Sequence, residues 1–303
     1  MIRISEQNTI KIQLKDVKVK NPPETVGIDI GQSLTKIAYS KGNEIILIMN
    51  QTSSDFSDIN EYLEINKKQL TRINFTGGKA FTLYEKYSSE FETNLINEFD
   101  ANIVGVGFLY EHNKNKPVPP SIVVTLGTGT SIILKTDVIK HLGGSAMGGG
   151  FFMGLIRLLF KDSIADYSEA ISYASKGNRY QVDLKVDDIY HIEDNRVNKL
   201  FREFTAAALG KINNNVDVNS AKKEDIIMSL IGSIGENIGT IATLMAENHE
   251  VKHIIFCGGF LIRNKPLKQI LSLLCKYKSL KPIFLDNSVF AGAIGALNFN
   301  NSR

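Results

Sequence analysis

Two short segments rich in glycine and hydroxyl side chains carry the residue types that hold a polyphosphate. Residues 26–36 read Val-Gly-Ile-Asp-Ile-Gly-Gln-Ser-Leu-Thr-Lys, and residues 124–131 read Val-Thr-Leu-Gly-Thr-Gly-Thr-Ser. In each, an apolar β-branched run ends in a turn where glycine lets backbone N–H groups approach an anion. One such turn indicates only a hairpin. Two of them, with acid and hydroxyl groups at the turns, predict opposed loops that hold one polyphosphate.

The first loop contains the predicted metal-binding acid. Asp29 lies where the first strand turns, two residues before the turn glycine Gly31. Its carboxylate is predicted to face the cleft and to hold Mg²⁺, through water, against nucleotide phosphates. The alternative is an Asx-turn acid that only stabilises the hairpin.

The other glycine-rich turns predict further nucleotide contacts. The second loop would supply backbone donors and hydroxyls to the β- and γ-phosphates. These would come from Gly127, Thr128, Gly129, Thr130 and Ser131. The alternative is that the loop is only a structural hairpin. Gly148, Gly149 and Gly150, ahead of the predicted helix at 151–160, would each cost roughly 1 kcal/mol in lost chain entropy. Three adjacent glycines therefore predict a close approach of the backbone, here to the nucleotide. Gly258 and Gly259 are predicted to lie against adenosine, although a plain β-to-α turn explains them almost as well.

Transfer to an alcohol needs a group that accepts the hydroxyl proton, and Glu98 is the predicted base. It follows an apolar stretch and precedes Phe99, so burial is expected to raise its pKa. From the residues alone, Glu98-Phe99-Asp100 is most often a loop or a helix cap, and Asp100 is the neighbour to be distinguished.

Composition narrows the class of protein. The 303 residues suffice for two lobes, and 43% hydrophobic with 22% charged residues is typical of a soluble globular protein. A net charge of +3 with scattered lysines gives no reason to expect nucleic acid. A charged N-terminus and an apolar stretch of only residues 151–160 predict a cytoplasmic protein without a membrane span. Cys257 and Cys275 lack metal-ligand spacing and are predicted to be buried thiols.

The elements that position these residues follow from periodicity. Residues 1–21 alternate apolar and charged side chains, which predicts an exposed hairpin or an added edge strand ahead of Pro22 and Pro23. The first lobe is predicted to contain strands at 26–30, 35–39, 44–49 and 72–76, helices at 55–67 and 79–87, and a strand or helix at 94–110. A Lys/Asn/Pro loop at 111–120 is the predicted boundary. The predicted domains are therefore an extension at 1–23 and lobes at 24–118 and 119–303.

The second lobe repeats the opening pattern. Strands are predicted at 121–126, 131–135, up to 141, 253–257 and 282–285, with helices at 151–160, 167–175, 223–248, 266–277 and 290–298. This duplication predicts α/β lobes with mixed sheets and a ligand cleft between them. The helix at 223–248 has too many apolar positions for one buried stripe, so it is either the central helix of a lobe or a contact with a second subunit.

The order of these motifs resembles the type II, eukaryotic-like pantothenate kinases of the acetate-sugar kinase/Hsp70/actin superfamily. The similarity is collinear from residue 26 to residue 297. The segments at 27–31 and 127–131 are shared across the superfamily. The more particular segments are 76–81, 98–100, 143–150, 174–178, 182–190, 237–242, 258–261 and 290–297.

The resemblance implies the two-lobed actin-like ATPase fold, which is ribonuclease H-like, with duplicated mixed β-sheets flanked by helices and a nucleotide cleft. It implies an ATP- and Mg²⁺-dependent kinase that phosphorylates the primary hydroxyl of pantothenate to 4′-phosphopantothenate, the first step of coenzyme A biosynthesis. It places Ser33 and Lys36 near the phosphates and the catalytic glutamate at Glu98. It also implies a homodimer, with the helix at 223–248 in the contact.

Two positions depart from the family pattern. Gln32 replaces a glycine in the first loop, and His141 replaces an arginine that binds the acceptor and stabilises the transferring phosphoryl group. A histidine is shorter and makes fewer hydrogen bonds, so either His141 and Lys140 share that role or the acceptor differs. The alternatives are a kinase of the same fold for another alcohol, such as pantetheine or a sugar, and an ATP-binding regulatory protein.

Overall fold

The computed structural model describes residues 10–14, 24–191, 193–194, 202, 204–214 and 217–299. Its framework is two mixed β-sheets, each flanked by helices, in two lobes. The predicted fold class is confirmed.

The first sheet has six strands in the order β1-β4-β3-β2-β5-β6. These strands are β1 Ile10–Leu14, β2 Thr25–Ile30, β3 Leu34–Lys41, β4 Glu44–Gln51, β5 Arg72–Thr76 and β6 Glu92–Leu95. Every residue of the central strand β2 is buried, which explains its near-continuous apolar sequence. β1 pairs antiparallel with β4, so the predicted edge strand is confirmed for Ile10–Leu14. The rest of the predicted extension, at 1–9 and 15–23, lies outside the described residues.

The second sheet repeats this design with five strands in the order β13-β12-β7-β8-β9. These strands are β7 Ser121–Leu126, β8 Thr130–Lys135, β9 Ile139–Ser145, β12 His253–Cys257 and β13 Lys281–Phe284. As in the first sheet, an antiparallel hairpin opens the lobe and the later strands add parallel to its first strand. A two-stranded ribbon, β10 Leu184–Lys185 with β11 Thr205–Ala207, is separate.

Nine helices of the described residues flank these sheets. They are α1 Ser57–Asn66, α2 Ala80–Tyr87, α3 Glu98–Lys114, α4 Gly149–Phe160, α5 Tyr167–Ala174, α6 Gly210–Asn214, α7 Lys223–Asn248, α8 Lys265–Tyr277 and α9 Ala291–Asn298. The prediction of a loop from 111 was wrong for its first four residues, because α3 continues to Lys114. It ends where Asn115 adopts φ 51°, and the amide of Asn115 donates to the carbonyl of Glu111.

The last helix returns to the first lobe. α9 packs on β2, where a Cβ on Gly27 would lie 2.2 Å from the oxygen of Ala293. It also packs on α3, where a Cβ on Gly105 would lie 1.8 Å from the oxygen of Ala291. The predicted lobe at 119–303 therefore includes a segment, residues 291–298, that covers the first sheet. Since sequence periodicity reports which face is apolar but not which sheet that face meets, the crossing was not predicted.

α7 is a central helix of the second lobe. By length and composition it reaches the range of a membrane span, but 61% of its most apolar window is buried inside the protein. Its buried positions, including Ile227, Ile234 and Ile238, join the main core of the lobe. The outward positions Asn237, Thr240 and Leu244 are exposed. Burial in its own lobe therefore accounts for most of the apolar residues of α7, as one of the two predicted alternatives stated.

A buried ion cluster fastens α7 to the segment after α5. Arg179 donates from Nε to Asp183 Oδ2 at 2.5 Å and from Nη1 to Glu236 Oε1 at 2.9 Å. Asp183 is fully buried, and its other oxygen accepts from the Ser229 hydroxyl and the Leu209 amide. A buried carboxylate needs such compensation because desolvation of the charge is costly.

Both cysteines are free and buried, as predicted. Burial raises the pKa of the Cys257 thiol to about 11 and that of Cys275 to about 12. Both thiols are therefore protonated near neutral pH and unreactive.

Candidate nucleotide and acceptor site

Asp29 lies near the end of β2, in a space kept open by two glycines. A Cβ on Gly77, whose φ is +94°, would lie 2.6 Å from Asp29 Oδ1, and a Cβ on Gly292 would lie 2.7 Å from Oδ2. Lys36, opposite Asp29 in the register of β3, donates from Nζ to Oδ2 at 3.0 Å. Asp29 as a whole residue is 7% exposed. It is thus a nearly buried, charge-paired acid at the edge of the first loop.

The two predicted phosphate loops face each other. Ser33 Oγ in the first loop and Thr128 Oγ1 in the second lie 3.2 Å apart and share a hydrogen bond, although 95 residues separate them in sequence. Both residues are exposed. The first loop is fixed on its other side, because the Thr52 hydroxyl donates to the carbonyl of Gly31 at 2.9 Å. The structure therefore brings together the two segments that sequence spacing paired.

The second loop is held from below by the start of α4. The Gly149 and Gly150 amides donate to the carbonyls of Gly127 and Thr128, at 2.8 and 2.9 Å. A Cβ on Gly148 would lie 2.6 to 2.9 Å from the three carbonyl oxygens of residues 127–129. The second loop is thus one close neighbour that requires glycine at 148–150, and contact of these glycines with the nucleotide stays a prediction.

Several amides and hydroxyls of the loops already have partners inside the protein. The Gly31 amide donates to the carbonyl of Leu34 at 3.1 Å, and the Gly127 amide to that of Gly129 at 2.8 Å. The hydroxyl of Thr130 donates to the carbonyl of Met147 at 2.7 Å, while Ser131 lies half-buried on β8. A phosphate at these groups would compete with internal hydrogen bonds. The hydroxyls of Ser33 and Thr128 are bonded to each other, but because both residues are exposed they are the better-placed partners.

Gly258 and Gly259 form the turn after β12. Gly258 has φ +106°, and a Cβ there would lie 2.3 Å from the carbonyl oxygen of Leu126. A Cβ on Gly259 would meet Leu34 of the first lobe at 3.2 Å. Both glycines are half-buried. The plain turn accounts for Gly258, and contact with adenosine stays a prediction.

Glu98 is the first residue of α3. Asn97 caps this helix by accepting the Phe99 amide hydrogen at 2.8 Å. Although Glu98 is exposed, the surrounding protein partly desolvates its carboxyl and so raises its pKa, and the negative charge of Asp29 adds to this rise while Lys36 opposes it. The predicted direction of the pKa shift is confirmed. Because Asp29 and Lys36 act on it electrostatically, Glu98 belongs to the same site.

His141 lies on β9 in the second lobe, and its imidazole stacks on Phe99 in the first lobe. The ring centroids are 4.2 Å apart and the planes differ by 10°. This contact places His141 against the residue that follows Glu98, at the first turn of α3. A joint role of His141 and Glu98 on the acceptor stays a prediction. Lys140 is also exposed on β9, but neighbours on a strand point to opposite faces.

Sequence reasoning gave no role to three residues of this site: Gly77, Gly292 and Phe99. All three lie within the segments that carry the family resemblance. The paired glycines at 77–78 were a visible signal of close backbone approach. Nothing in the sequence indicated that Phe99 would meet His141, since that contact joins two lobes.

The oxygen-rich donor set of Asp29, Ser33 and Thr128 suits Mg²⁺ and nucleotide phosphates. In the part of the chain that the structure describes, no group of three or more His, Cys, Asp or Glu side chains is placed to hold a metal ion. A cation here would therefore take phosphate and water oxygens as ligands in addition to those of the protein, as Mg²⁺ does in kinase sites.

Two lobes on duplicated mixed sheets, with facing loops and an acid at the end of β2, define the class of actin-like ATPases and the kinases that share their fold. A solved structure of this fold, the activator of the 2-hydroxyisocaproyl-CoA dehydratase from Clostridium difficile with bound ADPNP, matches with a TM-score of 0.58 at 17% identity, covering 90% of this chain and 92% of that one. A glucokinase from Streptomyces griseus in complex with glucose and AMPPNP matches with a TM-score of 0.52 at 12% identity, covering 90% and 97%.

Within this class, the chain belongs to the Fumble family, whose sequence profile matches residues 42–298. A relative from Bacillus anthracis named type II pantothenate kinase is 32% identical over 280 residues, which are 92% of this chain and 98% of that protein. The resemblance drawn from the motifs is confirmed.

Proposed function

We propose that this protein is a type II pantothenate kinase, which transfers the γ-phosphoryl group of ATP to the primary hydroxyl of pantothenate. The observation that carries the proposal is end-to-end similarity to relatives of that name, with Glu98 beside the facing loops. Transfer to this hydroxyl gives 4′-phosphopantothenate, at the entry to coenzyme A biosynthesis.

The chain's own groups support each part of the transfer. The raised pKa of Glu98 suits a base that accepts the acceptor hydroxyl proton as its oxygen bonds to the γ-phosphorus. The bond from that phosphorus to the bridging oxygen breaks, and ADP leaves. Lys36, 3.0 Å from Asp29, supplies positive charge near the phosphates, and Ser33 and Thr128 would position them. Phosphoryl transfer depends mainly on such positioning and charge neutralisation.

ATP and Mg²⁺ are the proposed cofactors. Asp29 would hold the ion through water, and the ion would neutralise charge on the phosphates. Support comes from the nearly buried carboxylate of Asp29, which two glycines leave room for.

A cytoplasmic homodimer with a small-molecule substrate, and without nucleic acid or membrane, completes the proposal. Family membership and the modest net charge support it. The exposed strip of α7 at Asn237, Thr240 and Leu244 is the part of that helix open to a second subunit.

His141 favours a second candidate, a kinase of this fold for pantetheine or another alcohol. A coupled assay of ADP release over a panel of alcohols, with and without EDTA, separates the two. We expect pantothenate to stimulate release at least as strongly as pantetheine, and EDTA to abolish the stimulation. Stimulation by pantetheine or a sugar, but not by pantothenate, would identify that compound as the acceptor. ATP hydrolysis that no alcohol changes would favour a regulatory protein instead.

Replacing Lys36 by methionine should move the acid limb of the pH profile of kcat/KM to higher pH. A general base works only when ionised, so activity falls as the pH drops through its pKa. Lys36 lowers the pKa of Glu98, so its removal raises that pKa and activity is lost at a higher pH. The matched control is Lys41→Met at the exposed end of β3, which should leave the limb in place. A limb that stays put or moves to lower pH in the Lys36 variant contradicts the assignment of Glu98 as base.

A further inference from the structure

The stack of Phe99 on His141 is a contact between the two lobes, made one residue from Glu98. Phe99 belongs to the first turn of α3, and His141 to β9. A centroid distance of 4.2 Å with planes only 10° apart leaves the imidazole little freedom to rotate without losing the contact. The ring orientation of His141 is therefore set by Phe99.

Phe99 is the fixed member of the pair. Its ring is partly buried against a core cluster that includes Ile103 and Val106 of the same helix, and its amide is bound by the Asn97 side chain. His141 is exposed and, within the described residues, has no hydrogen bond or ion pair to another side chain. The aromatic contact is thus what holds the imidazole.

The backbone of β9 aims His141 at this partner. Ile132 lies opposite Gly143 and Ile133 opposite His141, so Leu142 is an extra residue in the strand. Such a bulge bends a strand and redirects its side chains. Gly143 follows the bulge with φ +142°, a value that favours glycine.

We infer that Phe99 is a positioning residue that holds the His141 imidazole, across the lobes, in the orientation that binds the acceptor beside Glu98. The inference rests on the proposed function in that the acceptor binds at Glu98 and His141. In a parallel stack the two imidazole nitrogens lie at the ring edge, clear of Phe99. An arginine has five N–H donors and tolerates several orientations, whereas an imidazole has two nitrogens and must be held.

The test combines NMR of His141 with steady-state kinetics of Phe99→Leu. In the wild type, the ring current of Phe99 should shift the His141 ring protons upfield, with the signals assigned through His141→Ala. In Phe99→Leu these signals should move downfield, and the KM for pantothenate should rise about 10-fold, while kcat and the KM for ATP change less than about threefold. If this variant does not fold, Phe99→Met offers a flexible side chain of similar bulk for the same measurements.

The matched control lies on the same helix. Phe108 lies nearly parallel to His112, with centroids 6.5 Å apart and planes 13° apart, so Phe108→Leu removes a looser Phe–His contact elsewhere on α3 and should leave the KM for pantothenate unchanged. Unchanged His141 signals in Phe99→Leu would overturn the inference. So would a 10-fold rise in KM when the same change is made in a His141→Ala background. Failure of the proposed function differs from both, because wild-type protein would then phosphorylate no pantothenate.

Discussion

Replacing Glu98 by glutamine is expected to lower kcat for alcohol phosphorylation by about 10²- to 10⁴-fold, the usual contribution of a positioned general base. Glutamine keeps the size of the side chain and its place in the first turn of α3 but cannot accept the proton. Because Glu98 is exposed and carries no structural ion pair among the described residues, folding should be unaffected. Single-turnover and steady-state rates of ADP release measure the loss.

Asp100→Asn is the matched control for that change. Asp100 lies in the same turn of the same helix and is also acidic, so its removal tests whether charge at the helix N-terminus is enough. We expect kcat within about threefold of wild type, since a charge near a helix end contributes only about 0.3–1 kcal/mol to stability. Full activity of Glu98→Gln, or an equal loss in both variants, would contradict the assignment of Glu98.

Gly105→Ala is expected to lower the free energy of unfolding by at least about 3 kcal/mol, at the upper end of overpacking effects. Its added methyl group would lie 1.8 Å from the oxygen of Ala291, in the backbone of α9. Backbone cannot move aside as a side chain can, so α3 and α9 must separate. Since α3 carries Glu98 and Phe99, activity should fall as well. Urea unfolding followed by circular dichroism gives the change.

Gly107→Ala, two residues further along α3, is the control for the effect of helix propensity. Nothing lies within 4 Å of a Cβ at Gly107, so alanine should stabilise the protein by up to about 1 kcal/mol. Equal unfolding midpoints for the two variants would show that α3 and α9 are not in the close contact described.

Local pattern was enough to predict the elements that position the site. The bounds of β5, β7, β12 and α7 match the predicted ranges, because each carries regularly spaced apolar residues between turn residues. The end of α3 was missed because the Lys/Asn-rich stretch after Glu111 has the composition of a loop, whereas its backbone continues the helix until Asn115.

The sequence did not predict the contacts between segments that are far apart in the chain. Arg179, Asp183 and Glu236 form an ion cluster in which Arg179 and Asp183 are buried, yet in sequence each is a charged residue of the kind usually found at the surface. The glycines at 148–150 indicated close approach correctly, but only the fold shows that they meet the carbonyls of the second loop. The Phe99–His141 stack and the pairing of Ser33 with Thr128 likewise depend on how the lobes meet.

The return of α9 to the first sheet has a consequence for synthesis on the ribosome. The strands and helices of residues 24–118 emerge early, but α9, which covers β2 at Gly27 and α3 at Gly105, is translated only after the whole second sheet. At elongation rates of about 5–20 residues per second, the intervening chain takes on the order of ten seconds or more to make. During that interval the apolar face of β2 and α3 has no cover from α9. The first lobe therefore cannot be completed until the second sheet has been synthesised, and the nascent chain is the form most exposed to aggregation and to chaperones.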